Sequence, residues 1–172
     1  MKFLIAILFT TSIFAGNQAS VATSDIIDAN KFVGKWYAIS SLPQFFSKSC
    51  IAQTAEYEVL SETKISVKNT CLKKKNKKSL IFGEANIVNE VTNSELTVQF
   101  YTWWARLFKI KGDYNIIKID PNYEYVIVGS NDRKSLWIMS RRPSMDEFTY
   151  SEYVEFAKMK GFAVKDLQFS KF

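Results

Sequence analysis

Histidine is absent from this 172-residue chain, and cysteine occurs only at Cys50 and Cys71. Without imidazole a Cys–His nucleophile pair is excluded, and two thiolates alone are too few ligands for a metal site. An enzyme built on this chain would have to work with carboxylates, Tyr or a free Cys. Beyond the N-terminal segment no stretch is long and apolar enough to span a bilayer, and there is no linker, repeat or low-complexity tract. The length fits one domain able to bury a real core, and 47% apolar residues exclude general disorder.

The first apolar run, Phe3 to Gly16, follows Lys2 and leads into small residues at Ser20-Val21-Ala22. It is too short and too poorly flanked for a spanning helix and reads as a secretory signal, with Ala19 or Ala22 as the last residue removed. We take residues 1–22 as signal and 23–172 as the folded domain. No Cys lies near that site, so a bacterial lipoprotein anchor is not expected. Export makes the even cysteine count informative: a Cys50–Cys71 disulfide is expected in an oxidising compartment. Loss of Lys2 lowers the formal charge from +6 to +5, and the basic excess is concentrated at Lys73–Lys78. That run is either a solvated turn or an attractor for an anionic surface or ligand; nucleic acid is not expected, because the excess is local and the chain is exported. Aromatic residues reach 15%, enough either to fill a core or to line an apolar cavity.

Strand-like runs rich in Val, Ile, Tyr, Phe and Thr recur at Lys35–Ser41, Ile51–Leu60, Lys64–Cys71, Ser79–Val88, Glu95–Tyr101, Tyr114–Ile119, Tyr125–Gly129 and Leu136–Arg141, with turn residues between them. One helix is expected late, with Ser144 as N-cap and Glu147 completing a capping box, ending at Gly161. A last strand follows at Val164–Phe169. The fold class is therefore all-β: an eight-stranded up-and-down antiparallel barrel with one C-terminal helix packed outside, a β-sandwich being the alternative. In such a barrel the connections after strands one, three, five and seven share one end. These are the longer, aromatic and basic ones, so one mouth is open and the other end shut.

Gly34-Lys35-Trp36-Tyr37 on the first strand resembles the signature of the lipocalin family. The stretch Gly112 to Pro143 is similar to the second and third motifs of its members among bacterial outer-membrane lipocalins and apolipoprotein D. Asp120 and Tyr123 stand where those proteins carry the acidic residue and Tyr of a strand turn, and Arg141 matches the Arg that packs across the first-strand Trp. The resemblance covers nearly the whole exported chain. It implies a barrel whose floor is plugged by Trp36, with Gly34 allowing close approach and Arg141 lying on the indole. It also implies an extracytoplasmic carrier of an apolar molecule such as a fatty acid or lysophospholipid, with no cofactor. Ala38 replaces the Glu that usually follows Trp-Tyr, so no role for that carboxylate is carried over.

Alternation places the candidate ligand-contacting side chains. With Glu56, Lys68, Glu84, Thr97 and Lys118 facing out, Tyr57, Val67, Asn69, Ile81, Val98 and Phe100 face in, joined by Asn115, Ile117, Trp137 and Met139. Apolar groups with two Asn suit a long tail and one polar contact; the alternative is a filled core. At the mouth, Phe45, Phe46, Trp103, Trp104 and Phe108 form an apolar rim beside Lys73, Lys74, Lys75 and Arg106. This rim either docks on an anionic membrane or folds inward over the cavity. One conflict remains: a Ser61–Thr63 turn aligns Tyr57 with Val67, yet that register puts Cys50 and Cys71 on opposite faces. A β-bulge or a loop position for Cys50 would resolve it. The reading is a periplasmic or secreted lipid carrier, monomeric or weakly dimeric and not lipid-anchored. A lipocalin-scaffold enzyme and a protein-interaction module are the alternatives.

Overall fold

The computed structural model describes residues 19–23, 25–102 and 111–172. A four-residue helix, α1 (Ala29–Phe32), precedes eight long strands: β1 (Gly34–Ser41), β2 (Cys50–Ser61), β3 (Lys64–Lys73), β4 (Lys78–Ile87), β5 (Glu95–Phe100), β6 (Gly112–Ile119), β7 (Tyr125–Gly129) and β8 (Leu136–Ser140). Helix α2 (Glu147–Met159) and a two-residue β9 (Gln168–Phe169) follow. Each strand pairs antiparallel with the next, and β1 pairs with both β8 and β2, so the sheet closes on itself. Closure leaves no long unpaired edge among these strands.

Strand positions match the sequence expectation to within one or two residues, but two end signals differ. The α2 N-cap is Asp146, whose carboxylate accepts from the Thr149 N–H, so Ser144 is not the cap. A carboxylate one residue before the helix reaches the third amide of the first turn directly. The expected strand Val164–Phe169 is mostly a 3-10 turn (Val164–Asp166), and only Gln168–Phe169 pairs. Those two residues lie beside Ser41 and Ser40 of β1, beyond Ala38, where its ladder to β2 stops.

Two cores form on the two faces of the sheet. The inner one holds Phe32, Trp36, Tyr57, Val67, Val98, Ile116, Val128 and Met139 among others. The outer one lies between α2 and the backs of β6–β8, where Ile117, Ile127, Leu136 and Ile138 meet Tyr153 and Ala157. Val126, Ile127 and Val128 are fully buried because β7 is covered on both sides, and so it reads as an unbroken apolar run.

The shut end is built around Arg141. Its guanidinium carbon sits 3.8 Å from the centre of the Trp36 ring. Its N–H groups donate to the carbonyls of Tyr123, Lys35, Lys31 and Phe32. Gly34 runs beneath it at φ +95°, and a Cβ there would lie 3.3 Å from the Arg141 Nη1. The Trp36 indole N–H also donates to the Phe32 carbonyl at 2.8 Å. Asp120 fixes the β6–β7 turn by accepting from the amides of Asn122, Glu124 and Tyr125. The Tyr123 hydroxyl accepts from the Asp28 amide and joins that turn to α1. Arg141→Lys keeps the charge but cannot hold these acceptors in one plane. It is expected to cost about 1.5–3 kcal/mol in urea unfolding.

The segment before α1 is part of this packing. Val21 is 2% exposed within the outer core, its amide donates to Asn131 Oδ1, and the Thr23 amide donates to the Ile116 carbonyl. Cleavage after Ala22 would remove Val21, whereas cleavage after Ala19 would keep it. A chain beginning at Ser20 is expected to be more stable to urea than one beginning at Thr23, by about 1–3 kcal/mol.

Candidate ligand-binding site

Along β3 the residues Ile65, Val67, Asn69 and Cys71 share the inner face, opposite Val59, Tyr57, Ala55 and Gln53 of β2. On the other side of β3, Val67 faces Gly83 and Asn69 faces Ile81 of β4. Gly83 in turn faces Phe100 and Ala85 faces Val98 of β5. Val128 pairs with Trp137 and Val126 with Met139, which brings β8 into the same wall. Of the expected lining residues, Tyr57, Val67, Val98 and Met139 belong to the inner core, and Phe100 and Trp137 pack partly buried against it. Asn69 and Ile81, nearer the mouth, are half-buried.

Asn115 and Ile117 face the other way, which corrects the alternation argument. Ile117 sits in the outer core under α2, and the Asn115 amide donates to Asn131 Oδ1 at 2.8 Å. Lys118 does point outward, pairing with Glu152 of α2 over the Tyr153 ring. A bulge between Ile116 and Lys118 lets Ile117 stay on that side, so counting back from Lys118 inverts the remainder of β6. Tyr114 and Ile116 are the inward residues instead. The consecutive isoleucines of Asn115-Ile116-Ile117-Lys118 were the available signal, since strict alternation cannot place both.

A second bulge settles the cysteine conflict. The β2–β3 register shifts between Cys50 and Ala52, placing Cys50 opposite Lys73 and on the same face as Cys71. The two are joined as a disulfide, with Cα atoms 5.2 Å apart. It ties β2 to β3 at the mouth, near the Gln53 amide that donates to the Ser41 hydroxyl.

From floor to mid-barrel an aromatic column fills the interior. Trp36 contacts Phe32 at 5.7 Å between centroids, Phe32 contacts Tyr57 at 5.2 Å, and Tyr57 contacts Tyr114 at 6.2 Å. The two tyrosine hydroxyls are hydrogen-bonded to each other at 2.5 Å. Burial pushes both phenols well above the usual tyrosine range, so both stay neutral. Among the described residues no charged side chain is buried; the buried polar ones are Ser40, Ser41, Ser94, Asn115 and Ser140. Asn69 Oδ1 is buried with no hydrogen-bond partner among the described residues. Such an atom is an exception among buried polar groups, most of which are hydrogen-bonded.

The mouth differs in character. Phe45 and Phe46 are 75% and 59% exposed and pack edge to face on a short turn after β1. Lys74 and Lys75 are exposed on the β3–β4 turn, where Lys75 and Asn76 adopt positive φ, and Lys73 ends β3 half-buried. On the outer face of β4 beside them, Leu80 and Phe82 are 52% and 49% exposed. Trp103, Trp104, Arg106 and Phe108 lie outside the described residues. Among the described residues no three His, Cys, Asp or Glu groups gather as a metal site.

A family model described as a lipocalin-like domain matches residues 27–171. A protein of Acanthamoeba polyphaga mimivirus named as a lipocalin is 32% identical over 159 residues, covering 88% of both chains. The outer membrane lipoprotein Blc of Vibrio cholerae is 30% identical over 149 residues, covering 86% of this chain and 84% of its own. Among solved structures, insecticyanin from the tobacco hornworm Manduca sexta superposes with a TM-score of 0.67 at 16% identity, over 90% of this chain and 85% of that one. At that identity the likeness concerns the fold alone, but the family match and the relatives at 30% or more go further. The chain belongs to the lipocalin family, whose members bind small hydrophobic ligands.

Proposed function

We propose that this lipocalin is an extracytoplasmic carrier that holds a fatty acid or lysophospholipid, with its tail in the barrel and its head group at the mouth. The observation that carries the reading is the change of lining with depth. Among the described residues no charged side chain is buried, the half-buried Ile81, Phe100 and Trp137 sit above the inner core, and lysines gather at the rim. An anionic head cannot enter the charge-free interior without losing its hydration uncompensated, so it stays at the lysines while the chain is buried. The outer membrane lipoprotein among the relatives supports a place outside the cytoplasm.

The same rim supports contact with anionic membrane. Lys74 and Lys75 beside exposed Leu80 and Phe82 combine charge with apolar surface on one hairpin, and Phe45 and Phe46 extend that surface across the mouth. Such a combination favours a lipid interface.

Titration with a fluorescent fatty acid is expected to show saturable one-to-one binding, displaced by octadecanoic acid. Ile81→Trp, which narrows the upper barrel, should weaken that binding roughly tenfold or more, since the tail would lose its bed. Unchanged affinity in this variant would place the ligand elsewhere. For the membrane contact, reversing Lys73, Lys74 and Lys75 to Glu is expected to cut co-sedimentation with phosphatidylserine-containing vesicles by about tenfold or more, with neutral vesicles unaffected. Equal sedimentation of both proteins would remove the docking reading.

A further inference from the structure

The hydroxyl pair at mid-barrel leaves one proton over. Each phenol carries a single O–H, and the Tyr57–Tyr114 bond uses one of the two. The accepting tyrosine keeps its own O–H, and none of the described residues accepts it. On the same wall, Asn69 Oδ1 is buried and lacks a donor. Asn69 stands opposite Ala55, two residues before Tyr57 on β2, so the two side chains are diagonal neighbours on one face. Diagonal positions lie about 7–8 Å apart at the backbone, within reach of an aromatic side chain; Asn69 Oδ1 nevertheless has no donor among the described residues, so a group lodged between it and the phenols would serve both. That group must accept a hydrogen bond from a phenol and donate one to an amide oxygen. A hydroxyl does both, whereas a carboxylate cannot donate and would also stand uncompensated where no cation is buried among the described residues.

We propose that Tyr57, Tyr114 and Asn69 form a hydroxyl-recognition subsite, and that the barrel prefers lipophiles carrying a neutral hydroxyl part way along an apolar chain. This deepens the carrier reading and rests on it. Asn69 is four residues below Lys73 on β3, about 13 Å along the strand and about 10 Å down a barrel with tilted strands. With the head group at the lysines, the subsite therefore meets the middle of a long chain and not its first carbons.

The test is competition against a fluorescent fatty acid by octadecanoic acid and its 2-hydroxy and 12-hydroxy derivatives. The 12-hydroxy acid is expected to bind roughly three- to tenfold more tightly than the unsubstituted acid, the range of one or two net hydrogen bonds. The 2-hydroxy acid, whose hydroxyl stays at the mouth, should show no gain. Two variants assign the preference: Asn69→Leu, and the double change Tyr57→Phe with Tyr114→Phe. The double change is needed because removing one phenol simply frees the other to donate. In each, whatever its affinity for octadecanoic acid, the ratio between the 12-hydroxy acid and octadecanoic acid is expected to fall to about one. Should the double variant fail to fold, Asn69→Leu alone carries the assignment. Equal affinities in the unaltered protein would mean that a resident water satisfies these groups, which overturns the subsite and leaves the carrier reading intact. A preference that survives in Asn69→Leu also overturns it. If no fatty acid binds at all, both readings fall together.

Discussion

Arg141 on Trp36 is the contact around which the shut end of the barrel is assembled. One planar cation covers an indole face and collects carbonyls from α1, from the start of β1 and from the β6–β7 turn. These segments are distant in sequence, and without a shared donor their carbonyls would compete with water at the barrel end. A lysine has the charge but no fork, and an apolar residue would take this donor from all four carbonyls, of which Phe32 alone would keep the Trp36 indole N–H. Because the floor is held this way, Phe32 can stack inward on Trp36 and Tyr57, and the base of the barrel becomes packed core.

The half of the barrel above this floor is shaped by what it excludes. Charge is kept to the rim, where lysines remain hydrated, and the inner core presents apolar groups with a few neutral polar atoms. Neutral phenols suit this setting because burial holds their protons, so they remain hydrogen-bond donors where a carboxylate would require a partner. The disulfide serves the same half, tying β2 to β3 near the mouth, at the upper end of the closed ladder.

Sequence alternation placed Tyr57, Val67, Asn69, Ile81, Val98, Phe100, Trp137 and Met139 on the inner face, because each lies on a strand stretch of unbroken period two. It misplaced Asn115 and Ile117, and hid Tyr114, because one extra residue at Ile117 reverses parity along β6. The Cys50 bulge is the same phenomenon, visible in advance only because the cysteines could not otherwise meet. The α2 N-cap moved from Ser144 to Asp146 because both residue types cap well and only backbone geometry chooses between them.

The sequence by itself determined the strand order, the closed barrel, the cysteine pairing and the family, since these follow from periodicity, turn chemistry, count and short motifs. The tertiary structure decided which side of β6 faces inward, that Val21 belongs to the core, and that Tyr57 and Tyr114 meet across the interior. The physical reason is that bulges and cross-barrel contacts depend on how ladders align when the sheet closes. Closure is a property of all the strands together, and no local pattern contains it.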